Sequence, residues 1–284
     1  MRHYCTLFDI HYLTKGLSLY ASLQKQSSED FRLWVLPMSD MARNYLSNHA
    51  NALPKMVILD SAAFPHETWQ LKYTRTWGQF CWTMASHLTR FVMEAVRPDD
   101  ASVTYLDSDL YFFADPEIAH AEIQGRIVAV VPHRFPLHDY DRLRPAGLYN
   151  VSWVTFTQHP KSKAVLDRWC KQVADQCDER TCGDQKYLDE WPTLLGEGLC
   201  EFENIGIGPG PWNAYTYNVQ PGPTFNGQAV VFYHFHELQR IKGDEYKLTG
   251  YPVPPDLKKH IYDPYLRCLK YMQYHIDLDF IPRA

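Results

Sequence analysis

Apolar strand-like runs alternate with helical periods through the first half of this sequence, and that alternation restricts the possible architecture more than any other feature. Residues 3–8, 31–37 (FRLWVLP), 56–59 (MVIL), 103–106 (VTYL) and 127–131 (IVAVV) read as strands. Between them, residues 12–26 place Leu13, Leu17, Tyr20 and Leu23 on one helical face. Residues 40–50 also read as helix, and residues 66–95 as helix in two pieces broken near Gly78. Strands separated by helices predict an α/β fold, with a mostly parallel central sheet and helices on both faces. In open sheets of this kind, ligands bind outside the carboxyl ends of the strands.

The second half is less regular. Residues 149–156 and 228–235 read as strands, and residues 161–176 and 183–191 as helices. Residues 205–227, rich in Gly, Pro and Asn, predict a long loop over the site. A Pro cluster then leads to an aromatic-rich helix at 261–275. With 284 residues and 45% hydrophobic content, the chain can bury the core of one large domain or two small ones.

The strand at 103–106 runs into Asp107-Ser108-Asp109. In extended backbone, alternate side chains share a face, so both carboxylates can reach one ion. Hard cations such as Mn2+ or Mg2+ prefer oxygen ligands, commonly a few carboxylates together with substrate phosphates. Asp and Ser are also ordinary turn residues, so the motif alone is weak. The apolar strand before it, the apolar Leu110-Tyr111-Phe112-Phe113 after it and its central position favour a metal site.

Around these residues the sequence resembles the GT-A-fold glycosyltransferases, especially the retaining, glycogenin-like and bacterial galactosyltransferase-like (family 8-type) group. The resemblance spans most of residues 3–240 and is thin between motifs. Thr6, Asp9 and Tyr12 match T-x-x-D-x-x-Y on the first strand, which in that group meets the nucleoside; Gly16, Ser22 and Leu23 match the following helix. Tyr105 to Asp109 match Y-L-D-x-D, with Ser108 between the two acids. Asn150-Val151-Ser152-Trp153 stands for the group's N-x-G-v strand, with Ser in place of Gly. Asp184-Gln185 matches its D-Q pair near the reaction centre. His234 and Arg240 match H-x-x-G-x-x-K, with Glu237 in place of Gly.

The resemblance implies a GT-A-type nucleotide-diphospho-sugar transferase fold, with a catalytic domain over 1–250, divided near 110 into nucleotide and acceptor halves, and a helical tail over 251–284. It implies Asp107, Asp109 and His234 on Mn2+ or Mg2+. Thr6, Asp9, Tyr12, Ser108, Asn150 and Arg240 would meet the donor, with Asp184 and Gln185 at the reacting sugar. The donor would be a nucleotide sugar, UDP-linked by preference, and the acceptor a glycan, a lipid-linked glycan or a protein.

Several assignments stay open at this level. His236 shares a strand face with His234 and is the alternative ligand. Gly183-Asp184 also reads as a helix-capping pair. Arg75 and Arg90 are the candidate basic residues on the helix before the acidic strand. His133 and Arg134 follow a strand end; Trp212, Asn213 and Tyr215 can shape a sugar pocket or simply pack a loop. D-x-D also occurs in haloacid-dehalogenase-like phosphatases, but their motif opens the domain, whereas about a hundred residues precede it here. Pyrophosphorylases need a Gly-rich basic loop that residues 9–16 lack. A sugar-nucleotide-binding protein with a decayed site is the non-enzymatic alternative.

The net charge of −5 argues against a nucleic-acid partner, which would require a basic face. Seven cysteines without a zinc-type spacing read as free thiols of a reducing cytoplasm. No uncharged apolar run reaches the ~18 residues of a membrane span, and no signal peptide is evident. The expectation is a cytoplasmic protein, able to work at the inner face of a membrane.

Overall fold

A computed structural model describes residues 1–97 and 102–280. Its central sheet has seven strands in the order β3-β2-β1-β4-β7-β6-β8. These are β1 (Arg2–Phe8), β2 (Phe31–Pro37), β3 (Met56–Ile58), β4 (Ser102–Leu106), β6 (Val128–Pro132), β7 (Tyr149–Thr157) and β8 (Leu199–Glu201); β5 (Leu110–Phe112) lies outside it. β1 pairs in parallel with β2 and with β4, β2 with β3 and β6 with β8, whereas β7 runs antiparallel to β4 and β6. From β1 the chain builds outward through β2 and β3, then returns to place β4 on the other side of β1. That reversal opens a crevice at the carboxyl ends of β1 and β4, where such sheets take their ligands.

Each face of the sheet is covered for a local reason. Helix Leu13–Gln26 buries Leu13, Leu17, Leu19, Tyr20 and Leu23. It lies close on β1 because position 16 is glycine: a Cβ there would stand 2.3 Å from the Phe8 ring. On the opposite face, helix Trp77–Ala95 buries Phe80, Met84, Leu88 and Val92 and packs against helix Pro160–Asp175. The expected break near Gly78 is found just before Trp77. Thr76 accepts from the Gln79 amide while the Gln79 side chain accepts from the Thr76 amide, a capping box that starts the helix there.

The run 228–235 is not one strand. Only Phe232–His234 pairs with β5, antiparallel, with Tyr233 opposite Tyr111 and His234 opposite Leu110. Gln228–Ala229 joins a small sheet with Thr224–Phe225 and Val219–Gln220, so the expected loop at 205–227 carries structure of its own. The tail helix runs Asp263–Phe280, beyond the expected 261–275, and packs on helix Leu13–Gln26.

Three histidines are buried as neutral rings: His87 on the Thr83 carbonyl (3.0 Å), His120 on the Tyr4 hydroxyl (3.0 Å) and His133 on the Gly147 carbonyl (2.8 Å). Burial pulls them down to about 4, about 4 and about 3. The folded state thus prefers the uncharged ring. The stability this confers is complete above the unfolded value of about 6.5 and is lost as pH falls toward the folded values. For these three rings alone that corresponds to a fall in the thermal midpoint of roughly 10 °C between pH 7 and pH 5. NMR titration of the ring protons checks it: rings that titrate near 6.5 in the folded protein would refute the shift.

Candidate functional site

The acidic segment is held from both sides. Asp107-Ser108-Asp109 links β4 to β5; the Asp107 amide donates to the Ser152 carbonyl (3.1 Å), and the Phe235 amide donates to the Asp109 carbonyl (3.0 Å). Because Phe232–His234 pairs with β5, the imidazole of His234 arrives beside both carboxylates. Its Nε2 lies 3.2 Å from Asp109 Oδ1 and 3.8 Å from Asp107 Oδ2. One ligand atom from each of the three falls within 4.8 Å of the others. Neighbouring ligands of an octahedral Mg2+-sized ion stand roughly 3 Å apart, so two carboxylates and one imidazole at these separations fit a hard divalent cation.

The next layer determines which ring nitrogen faces the acids. Asn150 Oδ1 accepts from the Ser152 amide (2.9 Å), and Gln185 Nε2 donates to the Ala146 carbonyl (2.6 Å). These backbone anchors set both side-chain amides, so Asn150 Nδ2 donates to Gln185 Oε1 (3.1 Å). Asn150 Oδ1 then accepts from His234 Nδ1 at 3.2 Å, leaving Nε2 for the carboxylates or an ion. A shift in the β6–β7 register makes this possible. Val130 pairs with Val154 but Val131 pairs with Asn150, so β7 bulges beside the site. His236 is the exposed neighbour, its ring against Trp212 (6.0 Å), and His234 is the ring within the three-ligand cluster.

The three groups shift one another's titration. Burial, with the neighbouring Asp109 charge adding to it against His234, pushes Asp107 up to about 6. Asp109 is buried too, but His234 and Lys15 hold it below the usual carboxylate range. Burial lowers His234, yet Asp109 and Asp107 outweigh it and raise the ring above its ordinary value. A cation taking Nε2 would compete with a proton for that nitrogen.

At the end of β1, Asp9 Oδ1 accepts from the His11 (2.9 Å) and Tyr12 (3.2 Å) amides, and Oδ2 accepts from the Trp77 indole (2.9 Å). Tyr12 is 43% exposed, with the Lys15 ammonium 4.1 Å from its ring centre. Thr6 is fully buried within β1, its hydroxyl without a hydrogen-bond partner among the described residues. Ser108 is buried between the two acids.

Asp184 does not cap the helix that follows it. Cys182 and Gly183 take φ +44° and +70°, and the turn carries Asp184 inward, where burial and the Asp107 charge push its carboxyl well above the usual range. A Cβ at position 183 would stand 2.5 Å from the Trp82 ring, so glycine is required there twice over. Both ends of the Gln185 amide are engaged, and it acts on the site through Asn150.

Other candidates lie elsewhere. Arg75 reaches Thr83 and the Ala174 carbonyl (2.6 Å), and Arg90 pairs with Asp167 (3.9 Å); both tie two helices together. Arg134 donates to the Ile207 (3.1 Å) and Asn204 (3.3 Å) carbonyls. The His133 carbonyl accepts from Trp212 (2.7 Å) and Asn213 (2.8 Å), and Tyr215 donates to Asp139 (3.0 Å), so these loop residues pack the loop. Trp212 also meets His234 edge to face at 5.6 Å. Arg240 sits exposed on the hairpin Gln239–Lys242/Glu245–Lys247, its Nε donating to the Gly243 carbonyl (2.6 Å). Glu237, standing where a glycine was expected, takes φ +64°, with its carboxylate accepting from Gly250 (2.9 Å).

Two residues were missed: Lys15, whose ammonium is 3.6 Å from Asp109, and Trp77 on Asp9. In the sequence Lys15 reads only as a polar position of the helix that follows β1.

Comparison with known proteins agrees with this architecture. No known family profile matches the sequence. Two uncharacterized proteins of Bacillus subtilis (strain 168) are similar over nearly their whole length: YfnF, 26% identical over 96% of this chain and 93% of its own, and YfnD, 27% identical over 94% and 88%. Among solved structures, the galactosyltransferase LgtC, in complex with donor and acceptor sugar analogs, superposes with a TM-score of 0.55 at 14% identity, covering 95% of each chain. Mouse xyloside xylosyltransferase 1 gives 0.54 at 14% over 83% of this chain and 97% of its own. The glycosyltransferase GlyE of Streptococcus pneumoniae TIGR4 gives 0.59 at 13% over 97% and 64%. The chain therefore has the GT-A fold, with its acidic cluster at the crevice where that sheet takes ligands.

Proposed function

We propose that this protein is a glycosyltransferase that moves a sugar from a nucleoside-diphosphate sugar, UDP-linked by preference, to a hydroxyl acceptor, with Mn2+ or Mg2+ on Asp107, Asp109 and His234. The observation that carries this reading is the three-ligand cluster, oriented by Asn150, at the carboxyl ends of β1 and β4. The fold supports it. So do the solved neighbours, whose own names are those of sugar transferases.

When bound, the ion supplies positive charge against a departing nucleoside diphosphate. The protein's own residues do the rest. Tyr12 offers a ring face for the base, and Asp9 an acceptor for a ring N–H such as that of uracil. Asp184, buried near Asp107, positions a sugar hydroxyl. The resemblance to retaining enzymes favours retention. The bond from sugar C1 to the diphosphate oxygen breaks, the acceptor oxygen bonds to C1 on the same face, and its proton passes to the leaving diphosphate.

In this reading residues 1–250 form the catalytic unit and 251–284 a helical tail. The acceptor is a glycan, a lipid-linked glycan or a protein. Among the described residues no helix is long and apolar enough to cross a membrane. The seven cysteines are free, which supports a reducing compartment such as the cytoplasm.

A panel of nucleotide sugars with Mn2+ tests the reading. UDP is expected to raise the thermal midpoint in the presence of Mn2+ and not in the presence of EDTA, and at least one UDP-sugar to be turned over. No shift and no donor turnover across uridine, guanosine, cytidine and thymidine diphosphosugars would sink it.

A further inference from the structure

Lys15 is placed unlike the other lysines. Its side chain is 10% exposed, whereas those of Lys55, Lys171, Lys186, Lys258 and Lys270, each in an ion pair, are 32% to 75% exposed. A buried ammonium is costly unless it is paired and hydrogen-bonded. The pairing here is incomplete. Nζ lies 3.6 Å from Asp109 Oδ2, beyond hydrogen-bond distance, and 4.1 Å from the centre of the Tyr12 ring. An ammonium has three N–H donors. Asp109 is meanwhile shared, giving its other oxygen to His234.

The charge balance indicates what completes the site. Without an ion, the Lys15 ammonium faces the carboxylates, 3.6 Å from Asp109. With a divalent ion on Asp107, Asp109 and neutral His234, the ligand charges are spent and the Lys15 charge is left over. Only an anion restores neutrality. Arg240, which motif spacing assigns to the phosphates, instead gives its Nε to the Gly243 carbonyl on an exposed hairpin.

We propose that Lys15 is the side-chain cation for the diphosphate of the donor. It faces Asp109 when no anion is bound and turns to a phosphate oxygen when ion and diphosphate bind. This rests on the nucleoside-diphosphate reading above. Its consequence is a pair of effects of opposite sign: Lys15 competes with the ion for Asp109 when no anion is present, and cooperates with it when a diphosphate is bound.

Calorimetric titration of the full chain and its Lys15→Met, Lys15→Gln, Lys15→Arg and Arg240→Gln variants tests this, using Mn2+ alone, then inorganic pyrophosphate, UDP and UMP at saturating Mn2+. In Lys15→Met, Mn2+ alone should bind several-fold tighter. Pyrophosphate and UDP should bind about ten-fold weaker, a change of about 1.4 kcal/mol. UMP should change little, Lys15→Arg should recover most of the loss, and Arg240→Gln should bind UDP like the wild type. Pyrophosphate and UDP binding within two-fold of wild type in Lys15→Met would overturn the Lys15 role and leave the donor reading standing. Weakened Mn2+ binding alongside weakened anion binding would mark a merely structural charge and overturn it too. A wild type that binds pyrophosphate but not UDP would remove the nucleoside reading, while the pyrophosphate titrations still decide Lys15. Binding of neither would remove both. Lys15→Gln keeps the comparison if Lys15→Met does not fold; failure of both to fold while Lys15→Arg folds also overturns the proposal.

Discussion

Replacing Asp107 and Asp109 together with alanine is expected to weaken Mn2+ binding by roughly 100-fold or more and to remove the Mn2+-dependent part of UDP binding. The floor comes from outer-shell partners: losing one residue that merely orients a ligand typically costs 10–100-fold in metal affinity, and here two ligands are lost. Of the single changes, Asp109→Ala should be the more severe. Asp109 lies closer to His234, 3.2 Å against 3.8 Å, and is the carboxylate held in its charged form, while burial pushes Asp107 up to about 6. The fold should survive the double change at some cost in stability, because His234 stays bonded to Asn150 and Lys15 keeps the Tyr12 ring after losing Asp109. Thermal unfolding checks that, and calorimetry with and without EDTA reads the binding. A folded double variant that binds Mn2+ and UDP as the wild type does would refute the metal assignment.

What could be read from the sequence was what depends on neighbours along the chain. β1 and β4 are apolar runs that end at Asp9 and Asp107, so the positions of Asp9, Asp107 and Asp109 at strand ends followed from local pattern. His234 was legible only by resemblance. Its place beside the carboxylates, in preference to His236, follows from the pairing of Phe232–His234 with β5, and Asn150, 84 residues away, turns its ring at 3.2 Å.

Long-range placement escaped the sequence. Lys15 reads as the polar face of an amphipathic helix until Asp109 is folded against it. Gln185 reads as a reaction-centre residue, yet its two amide atoms are engaged by Asn150 and Ala146. Arg240 lies at the expected spacing from His234, but the intervening turn, with Glu237 at φ +64°, leads into a hairpin on the surface. The run 228–235 looks continuous because all of it is β-prone, but only Phe232–His234 finds β5 as a partner.

The same dependence on distant packing makes Trp153→Ala the most damaging single core substitution for the site. Trp153 is fully buried on β7, stacked on Phe232 (5.3 Å, 13° between planes) and edge-on to Tyr4 and Phe202. Its indole donates to Thr155 Oγ1 (2.8 Å), which meets Thr104 of β4 (2.8 Å). Truncating a buried tryptophan costs about 3–5 kcal/mol, which corresponds to a thermal midpoint lower by roughly 10 °C. Phe232 stands two residues before His234 on the strand that pairs with β5, so the cavity opens beneath the histidine ligand. Trp191 provides the control: it is equally buried, packs edge-on against Phe156 (5.5 Å) and Trp169 (5.6 Å), and belongs to the cluster on the other face of the sheet. Both variants should lose similar stability, but only Trp153→Ala should also lose Mn2+ affinity when titrated well below its midpoint. Equal Mn2+ affinities in the two folded variants would show that His234 is seated by its pairing with β5 alone, without help from the aromatic stack.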